Sequence, residues 1–369
     1  YGTNSSYNYL INGSKPVIVK APGLVAPDFT WETVTQMDFG FDASFLNNRL
    51  TGTFDWYRRN TKDMLVAGAT LPATLGASVP KSNSADMKTI GWELSLGWND
   101  RLENGFSYWV KGVLSDYQAT ITKYAGNDAG FYSQSDDDGK YYVGQKIGEI
   151  WGYHSNGLFQ SDDEAATIDQ SELYAGKWGA GDVKYEDLDN DGKITKGEET
   201  IYNPGDKSII GNKTPRYQFG ITVGFDYKNF DFEMFWQGTG KRDYMLSGAQ
   251  FWGFTSQWDV PYTPALDYWT ETNTDAYFPR PGWQNGGNRV TSDRYLQSAA
   301  YGRLKNLTVG YTIPKNLTTK WGISRLRLYV TGENLLTITP LNDAFDPETL
   351  GGMTYPINRK VAIGLNLTL

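Results

Sequence analysis

The sequence predicts an all-β fold: the C-terminal part of a large antiparallel transmembrane β-barrel, with about nine strands in this chain and long extracellular loops. Three observations predict it. Apolar and polar residues alternate through each candidate strand. The strands reach the ~9–11 residues that a tilted strand needs to cross a bilayer. Long and short connections alternate along the chain, as in bacterial outer-membrane barrels, whose short turns all lie on the periplasmic side.

The composition fits strands separated by turns and excludes several kinds of chemistry. Gly accounts for 41 of 369 residues and aromatic residues for 15%. The chain has no cysteine, which excludes disulfides, thiolate zinc sites and cysteine nucleophiles. The single histidine, His154, leaves no His–His metal pair, and its glycine-flanked surroundings predict a loop rather than a catalytic triad. The net charge of −8 gives no basic face for nucleic acid.

Each of the nine candidate strands has one apolar and one polar face. An Asn-rich turn at 46–50 joins the first two strands. We expect Leu94 and Ile363, on the apolar face, to meet lipid, and Ser95 and Gly364, on the polar face, to line the lumen. In chain order the strands cover residues 38–45, 51–57, 90–98, 106–111, 217–225, 230–236, 307–311, 326–330 and 361–369.

Connection lengths separate the candidate folds. A soluble protein with antiparallel strands buried on one face would show the same alternation, but it has no reason to place every long connection at one end. The longest connection covers residues 118–215. Nine strands is an odd number, whereas bacterial single-chain barrels have even numbers. We therefore expect residues 1–369 to be the C-terminal part of a barrel whose plug and N-terminal strands lie outside this chain.

Several sequence blocks carry a resemblance to a known family. They are PDFTWET at 27–33, FLNNRL at 45–50, GNKTPRY at 211–217, FWQGTG at 235–240, YGRLKNLTVGY at 301–311 and LRLYVTGENL at 326–335. From about residue 27 to 369 the chain resembles SusC/RagA-type TonB-dependent transporters of Bacteroidota. The plug and the earlier strands of that family are absent, and Leu369 replaces the aromatic residue common at the end of such barrels.

The resemblance implies a location and a function. The protein would be a multi-pass outer-membrane protein that imports bulky nutrients, mostly oligosaccharides and in some members peptides, and it would not be an enzyme. Its implied partners are the N-terminal remainder of the barrel, TonB, a SusD-like surface lipoprotein that lids the barrel, and outer-membrane lipid. The alternative is a soluble or surface-attached all-β protein that contains calcium and binds or degrades glycans, although no acidic pair has a pattern that supports glycosidase chemistry.

Residues 187–198, DLDNDGKITKGE, fit the twelve-residue calcium loop of EF-hand proteins. The flanking residues do not predict EF-hand helices, because Pro204 ends any helix that would follow. We expect one structural Ca²⁺ that pins the long outer loop, while the alternative is an acidic turn without metal. The expected ligands are the side chains of Asp187, Asp189, Asp191 and Glu198 and the carbonyl of Lys193.

The predicted connection at residues 242–298, after the sixth strand, is dense in aromatic residues. Such density favours a contact surface for the lid lipoprotein, a stacking surface for sugar rings, or loops that bury one another. The residues are Tyr244, Phe251, Trp252, Phe254, Trp258, Tyr262, Tyr268, Trp269, Tyr277, Phe278 and Trp283.

Overall fold

The computed structural model describes residues 24–27, 29–67, 79–125, 130–131, 141–282, 285–350 and 355–369, together with positions 3–4, 13, 18–19, 74 and 127. Nine strands in the described residues form one antiparallel sheet in which each strand pairs with its neighbour in sequence. They are β1 (Thr33–Phe45), β2 (Leu50–Ala67), β3 (Lys81–Arg101), β4 (Ser107–Tyr124), β5 (Arg216–Tyr227), β6 (Phe230–Lys241), β7 (Tyr301–Thr312), β8 (Arg325–Ile338) and β9 (Lys360–Thr368). This up-and-down order confirms the predicted set of nine antiparallel strands.

The cross-strand register confirms that apolar and polar side chains occupy opposite faces. Successive side chains of a strand point to opposite faces, and partners across the ladder share a face. The row through Leu96 contains Gly52, Gly112, Ile221, Trp236, Leu304 and Leu336. The row through Ser95 contains Thr53, Val113, Gly220, Gln237, Arg303 and Thr337. Ile363 shares a row with Val330 and Val309, and Gly364 lies on the opposite face with Tyr329.

The short connections all lie at one end of the sheet, because every strand runs antiparallel to the next. They are residues 46–49, 102–106, 228–229 and 313–324, and the long connections at the other end are 68–80, 125–215, 242–300 and 339–359. In the first short turn Leu46, Asn47 and Asn48 all have positive φ angles of 56–64°. Asparagine tolerates this conformation better than most residues, which explains the Asn-rich sequence.

Three strands extend further than the expected membrane span. The strands β2, β3 and β4 have 18, 21 and 18 residues, and β4 continues to Tyr124, so the connection expected from residue 118 begins at residue 125. In the extension Ala85, Ile121 and Tyr124 are buried, and Met64 packs against them. This small core stabilises a part of the sheet that rises beyond the length needed to cross a bilayer.

Shorter elements lie outside the nine strands of the sheet. Strand pairs join Glu149–Tyr153 to Lys207–Asn212, Ser155–Leu158 to Val183–Tyr185, Asp243–Met245 to Leu296–Ser298, and Thr3–Asn4 to Ile18–Val19. Single-turn helices cover Asp162–Ala165, Ala249–Trp252 and Lys315–Thr318, and 3₁₀ turns cover Thr263–Leu266, Gly286–Arg289 and Thr319–Trp321. Among the described residues, no helix has the length and apolar character needed to cross a membrane.

Candidate functional site

The long connections 125–215, 242–300 and 339–359 contribute described residues to a shared hydrophobic core at one end of the sheet. Its buried residues come from three connections, so each of them depends on the others for burial. They are Tyr153, Leu158, Val183, Tyr185, Ile194, Leu246, Phe251, Phe278, Tyr295, Ala299, Leu341 and Leu350. A loop layer built in this way is a folded unit with its own core rather than a set of independent mobile loops.

Most of the aromatic residues noted in the 242–298 segment contribute to this core. Phe251 and Phe278 are buried, and Tyr244, Trp252, Tyr268, Trp269 and Tyr277 pack against the cluster. Loops that bury one another therefore account for most of the aromatic density. Trp258, with 84% of its surface exposed, and Tyr262, with 47%, remain available for contact with a partner. Trp283 lies outside the described residues.

A buried carboxylate ties two of these connections together. Asp182 is 1% exposed, and its Oδ1 accepts hydrogen bonds from Arg280 Nε (3.0 Å) and Asn288 Nδ2 (2.8 Å). Its Oδ2 accepts a second bond from Arg280, through Nη2 (2.7 Å), and one from the backbone N–H of Gly179 (2.9 Å). A bidentate guanidinium with two further donors satisfies the buried charge fully, so this contact can fix the relative position of the connections.

Asp187 organises the acidic loop at 187–198 through backbone contacts. Its Oδ1 accepts a hydrogen bond from the N–H of Asn190 (2.7 Å), and its Oδ2 accepts one from the N–H of Gly192 (2.7 Å). Gly192 has a φ of 85°, a conformation that glycine adopts without strain. Ile194 is fully buried and donates to the carbonyl of Asp169 (2.7 Å), which anchors the loop to a neighbouring segment.

The acidic side chains that the structure brings together are not the full predicted set. Among the described residues, Asp187, Asp189 and Asp206 each place a carboxylate oxygen within 4.8 Å of the others. Asp206 is fully buried, and its carboxylate accepts hydrogen bonds from the backbone N–H groups of Leu188 (2.8 Å) and Thr195 (2.7 Å). Asp191 and Glu198, which we expected as side-chain ligands, are not part of this group.

The path of the chain after Thr195 explains why Asp206, and not Glu198, lies beside Asp187 and Asp189. In an EF-hand a helix would follow the loop, but here the backbone turns back, with Glu198 N–H bonded to the carbonyl of Asn203 (3.0 Å). Asp206 N–H then bonds to the carbonyl of Thr195 (3.1 Å). Hairpin closure therefore places Asp206, rather than the twelfth residue of the loop, beside Asp187.

The charge state of the cluster suits a cation. Partial dehydration raises the pKa of Asp189, and the charges of Asp191, Asp206 and Asp187 raise it further, against a hydrogen bond from the Asp191 backbone. Dehydration also acts on Asp187, but backbone donors led by Gly192 and Asn190 outweigh it and lower the pKa of that carboxyl. A bound cation would relieve the repulsion that its neighbours exert on Asp189, and Ca²⁺ prefers oxygen ligands of this kind.

His154 links three segments of the loop layer. Its Nε2 lies 2.6 Å from Ser208 Oγ and its Nδ1 lies 2.8 Å from Asp293 Oδ2. Asp293 also accepts a hydrogen bond from the backbone N–H of Ser155 (2.9 Å). The same three residue types form the triad of serine hydrolases, but Ser208 lies inside a paired strand, Lys207–Asn212, and not on an exposed turn. We assign this contact a structural role.

The last long connection is fastened to the polar face of the sheet by paired charges. Arg303 is 2% exposed, and its Nη2 lies 2.6 Å from Asp346 Oδ2 and its Nη1 lies 3.1 Å from Glu348 Oε2. Lys305 Nζ lies 2.9 Å from the same Glu348 oxygen. Arg303 Nε also donates to Thr337 Oγ1 (2.8 Å). The two positive and two negative charges balance, which reduces the cost of burying them.

Comparison with known proteins gives a consistent result for the whole chain. The model of the family described as TonB dependent receptor-like, beta-barrel, matches residues 1–335. The curated TonB-dependent receptor P3 of Formosa agariphila is 30% identical over 379 residues, which cover 94% of this chain and 35% of that protein. TonB-dependent receptor SusC of Bacteroides thetaiotaomicron is 25% identical over 374 residues, which cover 100% of this chain and 35% of that protein.

A solved structure described as the RagAB peptide transporter has the same fold. It superposes with a TM-score of 0.73 at 21% identity and covers 98% of this chain and 38% of the other. The chain therefore spans little more than a third of the length of the proteins that it matches. Its nine strands and loop layer correspond to one part of those longer relatives.

Proposed function

Because this chain belongs to the TonB-dependent receptor-like β-barrel family, and within it resembles SusC/RagA-type outer-membrane receptors, we propose that the complete protein imports bulky nutrients across the outer membrane with energy supplied through TonB. The observation that supports this most strongly is the sheet itself. Nine sequential strands present continuous apolar rows on one face and polar rows on the other, and a folded loop layer covers one end only. These features are those of a barrel wall that encloses a water-filled lumen, with an entrance on the extracellular side.

The remainder of the barrel is the first partner that we propose. Within the described residues β1 pairs only with β2, and β9 pairs only with β8. An open strand edge leaves backbone N–H and C=O groups without partners, which is not tolerated in lipid. Strands from the rest of the protein would close these edges, and a plug within the lumen would carry the contact with TonB.

Oligosaccharides are the substrates that we propose to test first, and peptides the second. The resemblance to SusC/RagA-type transporters implies mostly oligosaccharides, whereas a solved structure of the same fold is named a peptide transporter. We propose a SusD-like lipoprotein as the outer partner. Four large apolar residues within a short stretch of the loop layer would suit such a contact, since exposed apolar patches mark interaction surfaces. They are Trp258, Val260, Tyr262 and Leu266.

We further propose that the loop layer binds one structural Ca²⁺. The side chains of Asp187, Asp189 and Asp206 and the carbonyl of Lys193 would supply ligands, and water would complete the six to eight oxygens that Ca²⁺ takes. The ion would hold the hairpin ending at Asp206 against the loop beginning at Asp187.

We assign no enzymatic activity, in agreement with relatives that are named as receptors and transporters.

Uptake by living cells tests the proposed function. Cells that carry the complete protein should accumulate a fluorescent oligosaccharide or peptide faster than cells from which its gene has been deleted. Removal of TonB should reduce the rate to that of the deletion strain, while binding at the cell surface persists. Uptake that is equal with and without TonB would contradict energised import.

A further inference from the structure

An open cavity of about 480 Å³ lies in the loop layer, beside the entry to β7 and the exit from β8. Its wall comes from the 242–300 connection and from the start of the last connection. The polar and aromatic lining residues are Asp267, Tyr277, Phe278, Arg294, Gln297 and Asn342. A cavity of this size can hold one sugar ring or one amino-acid residue of a longer substrate.

Arg294 is held rigidly in the cavity wall by neutral acceptors. Its Nη2 donates to the carbonyls of Ala276 (2.6 Å) and Tyr277 (3.0 Å). Its Nε donates to the Tyr277 carbonyl (3.2 Å) and to the Tyr295 hydroxyl (3.3 Å). Within the part of the chain that the structure describes, Arg294 forms no ion pair, and its Nη1 has no acceptor. The positive charge of the guanidinium is therefore not balanced by a carboxylate in these residues, and the two N–H groups of Nη1 are free to donate.

Two other donors line the same cavity. The Tyr277 hydroxyl accepts a hydrogen bond from Gln297 Nε2 (3.0 Å), so its own proton remains free to donate. Burial raises the pKa of Tyr277, which keeps that proton on the oxygen. Asn342 uses its Oδ1 to accept from the N–H of Ala344 (3.0 Å), and among the described residues its Nδ2 has no acceptor.

The one carboxylate in the lining does not neutralise these donors. Asp267 accepts hydrogen bonds from Asn273 Nδ2 (3.1 Å) and from the backbone N–H of Tyr277 (3.2 Å). Its oxygens are engaged at the cavity edge, and neither lies within ion-pair distance of Arg294. The cavity therefore presents a cation and neutral donors in a chain whose net charge is −8.

We propose that this cavity is a substrate subsite for a carboxylate group. One carboxylate oxygen can accept a charge-assisted hydrogen bond from Arg294 Nη1, and the two oxygens can accept further bonds from the Tyr277 hydroxyl and the Asn342 amide. The group would come from a uronic acid in an oligosaccharide or from the C-terminus of a peptide, and both sources share this chemistry. The proposal rests on the proposed function, because it concerns what the importer selects.

Binding to the complete receptor, with its plug and remaining strands, tests the subsite. One pair of probes is a tetragalacturonate and its fully methyl-esterified form, and the other is a hexapeptide with a free C-terminus and the corresponding amide. The parent receptor should bind the free acid more tightly within at least one pair, and that pair identifies the source of the carboxylate. Arg294→Gln should weaken binding of the acid by about 10- to 100-fold, as for loss of a charge-assisted hydrogen bond, and should leave the neutral form unaffected.

Matched variants separate recognition from damage to the loops. Arg242→Gln removes another loop-layer arginine that bonds to a carbonyl, that of Lys213 (3.1 Å), but does not line the cavity, and it should preserve the preference for the acid. Tyr277→Phe removes only the hydroxyl and should weaken binding of the acid by about 2- to 10-fold. TonB-dependent uptake is measured separately, so failure of import is distinguished from failure of the subsite. No preference for the acid in either pair, or a preference that survives Arg294→Gln, would overturn the proposal.

Discussion

Arginine in place of Leu96 would test which face of the sheet meets lipid. Leu96 is about half exposed and lies in the apolar row with Ile221 and Trp236. It is five residues before the end of β3 at Arg101. With a rise of ~3.3 Å per residue and a strand tilt of ~40°, it lies ~13 Å from the short turn, near the middle of an apolar band ~25 Å tall.

The expected cost follows from that depth. Arginine facing lipid at the midplane of a bilayer destabilises a β-barrel by ~2–4 kcal/mol, which corresponds to about 30- to 900-fold in the equilibrium constant of assembly. Ser95→Arg is the matched control, because Ser95 points to the opposite face. It lies beside an open space of about 310 Å³ that Asp55 and Glu93 also line, so an arginine there has room and opposite charges.

The assay is the amount of heat-modifiable, protease-resistant receptor in the outer membrane. We expect Leu96→Arg in the complete protein to reduce it strongly and Ser95→Arg to leave it close to the parent level. Equal loss in both variants, or normal assembly of Leu96→Arg, would show that the assignment of the faces is wrong.

Three further results are expected. In calcium titrations of the complete receptor, Asp206→Asn should lower Ca²⁺ affinity more than Glu198→Gln, because only Asp206 joins the carboxylate group; equal losses would favour the ligand set expected from the sequence. Ca²⁺ affinity should fall on acidification, because the raised pKa of Asp189 lets protons compete with the ion above the usual range of a carboxyl; affinity that is constant from pH 7 to pH 4 would contradict this. Arg303→Gln should leave Asp346 without its ion-pair partner and Glu348 with Lys305 alone, at a cost below the ~3–5 kcal/mol of a fully buried broken pair, and limited proteolysis should cut the last connection faster than in the parent; unchanged cleavage would show that the ion pairs do not hold it.

The strands and their faces were predictable because alternation is a local signal. Each strand of the sheet carries its own period-two pattern. Because each strand pairs with the next one along the chain, the order of the strands in the sheet follows directly from their order in the sequence. The ends of the strands were less predictable. The end of β4 does not keep the regular alternation: Ile121 lies opposite Met87, and a register shift then places Tyr124 opposite Ala85. Both side chains are buried in the small core that contains Ala85 and Met64, and a period-two pattern does not predict an irregular strand end of this kind.

The carboxylate group shows what a contiguous motif does not reveal. The spacing of Asp187 and Asp189 identified two of its members, because both belong to a contiguous motif. Asp206 lies outside that motif and joins it only through hairpin closure. The turn residues Pro204 and Gly205 just before it were the available signal that the chain reverses there. The free Nη1 of Arg294 likewise depends on which carbonyls surround the other two nitrogens, which no spacing in the sequence reveals.

Labelling of single cysteines tests the central claim, that this chain is a barrel wall with its loop layer outside the cell. The chain contains no cysteine of its own. Glu271→Cys places an exposed thiol in the 242–300 connection, and Glu103→Cys places one in the short turn between β3 and β4. In intact cells a membrane-impermeant maleimide should label Glu271→Cys at once, and should label Glu103→Cys only after the outer membrane has been permeabilised. Labelling of both positions in intact cells, or of Glu103→Cys alone, would contradict the account.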